Sequence, residues 1–198
     1  MMSDSTAPTL TPQQLFRKKA AGEPIVPDEQ EKPNRHIVSV KLENSVGALN
    51  RVLNLFSARG FNLESVTVGM SDEPSVSRLT LVTTGNDRII GQVMRQLTNL
   101  VDTLEVDDLT GEPYVERELA LVTVGYTVET RPEIMDTIEI FRGKVVNITE
   151  DTVTIELTGP NAKVNAFIGL IRKHGIVEVA RSGRVAMRRA LPYEQPDE

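Results

Sequence analysis

Cysteine is absent from all 198 residues, which removes disulfides, thiolate metal sites and thiol nucleophiles together and fits a reducing compartment. Positive charge is scarce: 22 Lys and Arg stand against 28 Asp and Glu, a net charge of −6. A nucleic-acid footprint needs a basic face whose counterion release drives association, and no such face is indicated. No run reaches the roughly 18 consecutive apolar residues of a membrane span, and no N-terminal apolar stretch has signal-peptide form. Catalytic motifs are missing too: there is no H-E-x-x-H, no G-x-S-x-G, no P-loop and no G-x-G-x-x-G after a strand. Two histidines, His36 and His174, lie far apart and read as structural or solvated. The acid pairs Asp107-Asp108 and Glu150-Asp151 fall at strand ends or turns, where solvated charge is ordinary, and no set of metal ligands groups together. These absences leave a cytoplasmic protein without membrane or nucleic-acid partners. With 39% hydrophobic residues it is long enough for two small domains.

Residues 1–35 are rich in Pro, Ser, Thr and charge, and are expected to form a mostly disordered extension; within it Gln13–Ala21 suits a short helix carrying Leu15 and Phe16. Its acidic residues argue against a plastid transit peptide. From His36 the chain takes on periodic order. "HIVSVKL" has the alternation of a strand with one buried face, and Leu49, Val52, Leu53 and Phe56 recur at helical spacing after an N-cap expected at Asn44 or Ser45. "FNLESVTVGM" and "SVSRLTLVT" flank the turn "SDEP" as an antiparallel pair. A second helix over Asn86–Leu100 and a strand in "VDTLEVDDL" complete β-α-β-β-α-β. After the break at Gly111–Pro113 the same order recurs, through "ELALVTVGY", a helix from Pro132 to Phe141, "KVVNIT", "TVTIEL", a helix from Asn161 to His174, and "IVEVARSGRVAM". The expectation is an α+β protein of two ferredoxin-like βαββαβ units, residues 36–110 and 111–198, each an antiparallel sheet with helices on one face. The uncovered faces and edges predict pairing of copies, within or between chains, and a homodimer at least.

One stretch, "ENSVGALNRVLNLFSARGFNLESV", places Gly47 in the expected first turn of the first helix, where Gly costs about 1 kcal/mol relative to Ala. A helix start offers unpaired N–H groups and partial positive charge, suited to a carboxylate, and Gly permits close approach to the backbone. Amides near Val46, Gly47 and Ala48, with the carboxamides of Asn44 and Asn62, together suit a zwitterion. Equally open is a structural reading in which Asn44 caps the helix, Gly47 relieves a clash and Asn62 makes a turn.

The segment "SVKLENSVGALNRVLNLFSARGFNLESVTVG" closely resembles the N-terminal ACT domain of the regulatory small subunit of acetolactate synthase. "VSRLTLVT", "QLTNLVDTLEV", "VERELALVTV", "EIFRGKVVNIT" and "VEVARSGRVAM" resemble that family's later blocks in the same order, over about Arg35 to Arg189. The resemblance implies a non-catalytic chain. It would bind and activate a catalytic large subunit that uses thiamine diphosphate, Mg and FAD, and confer feedback inhibition by valine or another branched-chain amino acid. It implies that Asn44 and Gly47 belong to the effector loop, that Asn62 reaches the effector from the other protomer, and that dimerisation completes the pocket. Val46, Ala48, Leu49 and Leu63 would line an apolar recess, or are plain core. Gln92 matches a position tied to the valine response, with a solvated helix residue as the bland reading; Arg78 is a contact to the catalytic partner or a solubilising charge. The second unit, whose helix start "TRPEIMD" lacks a Gly or Asn loop, is expected to dock the catalytic subunit.

Three rivals remain in view. An acylphosphatase-like enzyme on this scaffold needs a basic anion cradle, and Glu43-Asn44-Ser45 is a poor one. An RNA-binding module needs stacking aromatics on its central strands, which instead carry Ser, Thr, Arg and Val. A free-standing ACT-domain amino-acid sensor with a different partner would keep the Asn44 site and fail to activate acetolactate synthase.

Overall fold

The computed structural model describes residues 34–190. Of the leader expected to be disordered over residues 1–35, residues 1–33, with the short helix at Gln13–Ala21, lie outside the described residues, whereas Asn34 and Arg35 already belong to the first strand, opposite Gly85 and Thr84. The first unit comprises β1 (Asn34–Glu43), α1 (Ala48–Ser57), β2 (Leu63–Met70), β3 (Val76–Gly85), α2 (Asp87–Thr98) and β4 (Thr103–Asp108). The second repeats the order with β5 (Tyr114–Gly125), α3 (Arg131–Ile140), β6 (Lys144–Ile148), β7 (Thr152–Gly159), α4 (Asn161–Ile171) and β8 (Ile176–Arg188). Each set of strands makes one antiparallel sheet, ordered β2-β3-β1-β4 and β6-β7-β5-β8. Among the described residues no helix is long and apolar enough to cross a membrane.

Strand and helix periodicities explain both cores. Val38, Val40 and Leu42 of β1 and Leu79 and Leu81 of β3 share one face, and Val52 and Phe56 of α1 with Val93 and Leu97 of α2, each pair one helical turn apart, close over it. In the second unit Val122, Val124, Ile155 and Leu157 lie beneath Ile134, Ile138, Phe167 and Ile171, with the Phe141 ring edge-on to Phe167 at 5.5 Å.

The sequence pattern predicts one buried face for β1, yet Ile37 and Ser39 on its other face are buried as well. The cause is β8. Its pairing with β5 steps from Glu118 opposite Arg184 to Ala120 opposite Arg181, a bulge at Ser182-Gly183 that bends the strand. The bent end crosses the open face of the first sheet. There the Arg184 N–H donates to Ser65 Oγ (3.1 Å), Thr67 Oγ1 donates to the Ser182 carbonyl (3.4 Å), and Ala186 packs against Ile37, Val82 and Leu109. Cover for that face therefore comes from within the chain.

Gly183 makes the crossing possible. Its φ is +79°, and a Cβ there would stand 2.6 Å from Thr67 Oγ1 and 2.7 Å from Ser65 Oγ. Gly183→Val is expected to lose about 2–5 kcal/mol of unfolding free energy, combining left-handed strain with overpacking. Urea unfolding checks this, and a loss under about 1 kcal/mol would contradict the packing role of the crossing.

Candidate functional site

The loop between β1 and α1 is anchored by Asp102, just before β4 and only 6% exposed. Its carboxylate accepts a fork from Arg51, Nε at 2.5 Å and Nη2 at 2.7 Å, and the Ser45 hydroxyl at 3.3 Å; its carbonyl accepts the Glu43 N–H at 2.8 Å. The Arg51 fork holds the Asp102 carboxyl below the usual range; burial opposes this shift without reversing it, and Ser45 adds to it. A depressed folded-state pKa gives stability that is present above the unfolded pKa and lost as pH falls through the folded one. The stability gap between wild type and Asp102→Asn is thus expected at neutral pH and should close as pH falls below about 3.9. Urea midpoints across pH measure it, and a gap that stays constant into acid would exclude the ion pair as its source.

The cap differs from expectation. Gly47, not Asn44 or Ser45, is the residue before α1, with φ 87° and ψ −8° and no side-chain cap. Asn44 instead donates from Nδ2 to the Pro74 carbonyl at 3.0 Å, tying the loop to the β2–β3 turn, while Ser45 is turned to Asp102. Gly47 therefore sits one position before the first turn, in a left-handed conformation that favours glycine over any residue with a side chain. A Cβ on it would stand 3.0 Å from Nη1 of Arg51. The Ala48 N–H reaches the Ser45 carbonyl at 3.3 Å, whereas those of Leu49 and Asn50 have no partner among the described residues.

Beside this helix start is a cleft of about 310 Å³, lined by Asn44, Ala48 and Leu49 together with Val68, Met70 and Ser77. Its lining joins Leu49, whose N–H is unpaired among the described residues, and the Asn44 carboxamide to the apolar side chains of Val68 and Met70. Val46 is fully exposed, and Gly47 shapes the loop without lining the cleft. Asn62 and Leu63 are not at the cleft of their own protomer. They stand at the other end of β2, roughly 25 Å from Met70 at the rise of an extended strand, where the Asn62 carbonyl accepts Thr83 Oγ1 at 2.8 Å. Gln92 is exposed on α2, and Arg78 donates to Ser39 Oγ at 3.2 Å on the open sheet face. Neither lines the cleft.

Sequence reasoning missed Val68, Met70 and the Arg51–Asp102 anchor. The alternation of β2 was visible, but nothing local reveals that β2 is an edge strand whose Val66, Val68 and Met70 stay exposed. No local signal joins Arg51 to an acid in another element. His36 is buried and His174 half-buried with its imidazole 6% exposed, and they sit on different units; Asp107 meets Arg188 at 3.4 Å, and Asp108 accepts the Thr110 N–H. Among the described residues, no group of three or more His, Cys, Asp or Glu is placed to hold a metal ion.

Two ferredoxin-like units in tandem, with a largely apolar cleft at the first helix start, define a protein of the tandem ACT type. The AHAS small subunit-like ACT domain model matches residues 38–105, and the model described as small subunit of acetolactate synthase matches residues 117–190. The chain is 47% identical over 82% of its length to the acetolactate synthase small subunit of Aquifex aeolicus, spanning 85% of it. It is 45% identical over 78% of its length to the acetolactate synthase isozyme 3 small subunit of Escherichia coli, spanning 96%. The crystal structure of the acetolactate synthase small subunit from Thermotoga maritima superposes with a TM-score of 0.73 at 40% identity, covering 80% of this chain and 99% of that one. The chain belongs to the acetolactate synthase small-subunit family. A free-standing sensor with another partner is not favoured, since the match continues through the second unit.

Proposed function

We propose that the chain is a non-catalytic regulatory subunit that activates the catalytic subunit of acetolactate synthase and makes it sensitive to valine. The thiamine diphosphate, Mg and FAD belong to the catalytic subunit, and the assembly works in the cytoplasm. The observation that carries this reading is the cleft at the start of α1, open along the exposed edge strand β2. Valine's carboxylate sits at the free amides of Leu49 and Asn50, and its isopropyl group against Val68, Met70 and Leu49.

Asn62 joins that site through a homodimer. When two β2 edges pair antiparallel about a two-fold axis, the Asn62 end of one strand comes beside the Met70 end of the other. The carboxamide that is distant within one protomer is then close across two, and the row Val66, Val68 and Met70 gains cover. Residues 36–110 form the effector unit and 111–198 the docking unit. Exposed Leu119 and Leu121 on the open face of the second sheet supply a docking surface. Arg78 contacts the partner, and Gln92 tunes the response from α2.

Valine inhibits by binding one arrangement of the dimer more tightly than the other. Strand β2 links the two ends of this signal. Val68 and Met70 line the cleft, while Ser65 and Thr67 bond β8 of the docking unit. Mixing the purified chain with its catalytic subunit, with and without valine, tests the proposal. Acetolactate formation should rise on mixing and fall with valine; valine binding without any change in activity would refute the partner.

A further inference from the structure

Between the two units lies a second cavity, of about 470 Å³, with a different chemistry from the effector cleft. Arg35 from β1, Arg181 and Arg184 from β8, and Asn165 from α4 contribute to its wall, with two carboxylates, Glu64 and Glu118. Both carboxylates are fully engaged. Glu118 is 4% exposed and takes Arg181 in a fork, Nε at 2.5 Å and Nη2 at 2.8 Å, plus Asn161 Nδ2 at 2.9 Å. Burial pushes the Glu118 carboxyl up, and these donors outweigh it and hold it low. Glu64 bonds Arg35 and the Thr84 hydroxyl.

Arg184 is the group left over. It is 5% exposed; among the described residues its single ion pair is Nη1 to Glu116 Oε2 at 3.5 Å, and the buried Nη2 has no hydrogen-bond partner. Glu116 is itself shared, since its Oε1 accepts the Asn161 N–H at 2.9 Å at the start of α4. Burial and the neighbouring Arg35 guanidinium both push the Arg184 pKa down. A buried guanidinium with an unmet N–H and a like-charged neighbour is a costly arrangement unless something negative completes it.

We propose that this cavity binds a small oxyanion, whose carboxylate or phosphate head is held between Arg184 of the second unit and Arg35 of the first. The guanidinium forks match either head, and the donors come from both units, so the bound anion clamps one unit to the other. The site is separate from the valine cleft and does not depend on the chain's having a catalytic partner.

The test uses the full chain at fixed ionic strength. Thermal unfolding is followed while sodium chloride is exchanged for sodium phosphate in one arm and sodium acetate in the other. A midpoint that rises and saturates in either arm is expected, because a ligand of the folded state stabilises it by mass action. The arm that saturates at lower concentration names the head group. Arg184→Gln should abolish the rise. Should that variant not fold, Arg35→Gln carries the test, because the Arg35 side chain is 47% exposed. It should weaken the half-saturating concentration about tenfold or more, the scale of one charge-assisted contact. Arg59→Gln, exposed and outside the cavity, should behave as wild type. Equal midpoints in chloride, phosphate and acetate, or an Arg35→Gln variant that saturates as wild type does, would overturn the site.

Discussion

Replacing Gly47 with aspartate is expected to abolish valine inhibition while leaving activation of the catalytic subunit in place. Two effects act together. At φ 87° a side chain strains the backbone by about 1–2 kcal/mol. Its Cβ also stands 3.0 Å from Nη1 of Arg51, whose fork to Asp102 holds the loop. The new carboxylate then competes for the same free amides and repels the effector's own carboxylate. An allosteric coupling of about 1–3 kcal/mol corresponds to a roughly 5- to 150-fold response, so its removal should flatten the valine titration. Gly47→Ala carries the strain without the charge and should retain part of the response. Acetolactate formation by the mixed subunits, titrated with valine, is the measurement. A Gly47→Asp variant that assembles and remains fully inhibited would remove the helix start from the site.

Val68→Lys should separate the proposed dimer and take valine binding with it. Strand β2 is the edge of its sheet, and Val68 sits among exposed Val66 and Met70. An exposed apolar row on an unpaired strand invites a partner strand, and an edge lysine is the device that prevents it. Burying an unpaired charge at such an interface costs about 3 kcal/mol, roughly a hundredfold in dissociation constant. Sedimentation should report a monomer, and calorimetry no valine heat, because the partner's Asn62 no longer reaches the cleft. A monomeric variant that still bound valine would show that one protomer holds the whole site.

Much of the fold was legible because its signals are local. Alternation in β7 and the helical spacing of Ile90, Val93 and Leu97 mark the elements and their buried faces. Their order repeats on either side of Gly111–Pro113. What sequence could not give was the relation between distant elements. The β8 bulge at Gly183 lays the end of that strand on the first sheet and buries the second face of β1, and no residue of β1 announces it. The candidate cleft was half legible for the same reason. Asn44, Ala48 and Leu49 are neighbours in sequence and line the cleft; Val68, Met70, Ser77 and the Asp102 anchor arrive through the sheet. The cap was misassigned because Asn44 and Ser45 are both good cap residues by type. Their side chains are taken by Pro74 and Asp102, and a left-handed Gly47 starts the helix instead.

On the proposed function, the uncapped start of α1 holds a branched-chain amino acid with help from a second protomer. Isothermal calorimetry of valine into the dimeric chain, without the catalytic subunit, tests it most directly. Saturable heat at one stoichiometry, lost in Gly47→Asp, is the predicted result. No heat from valine, leucine or isoleucine on a verified dimer would contradict it.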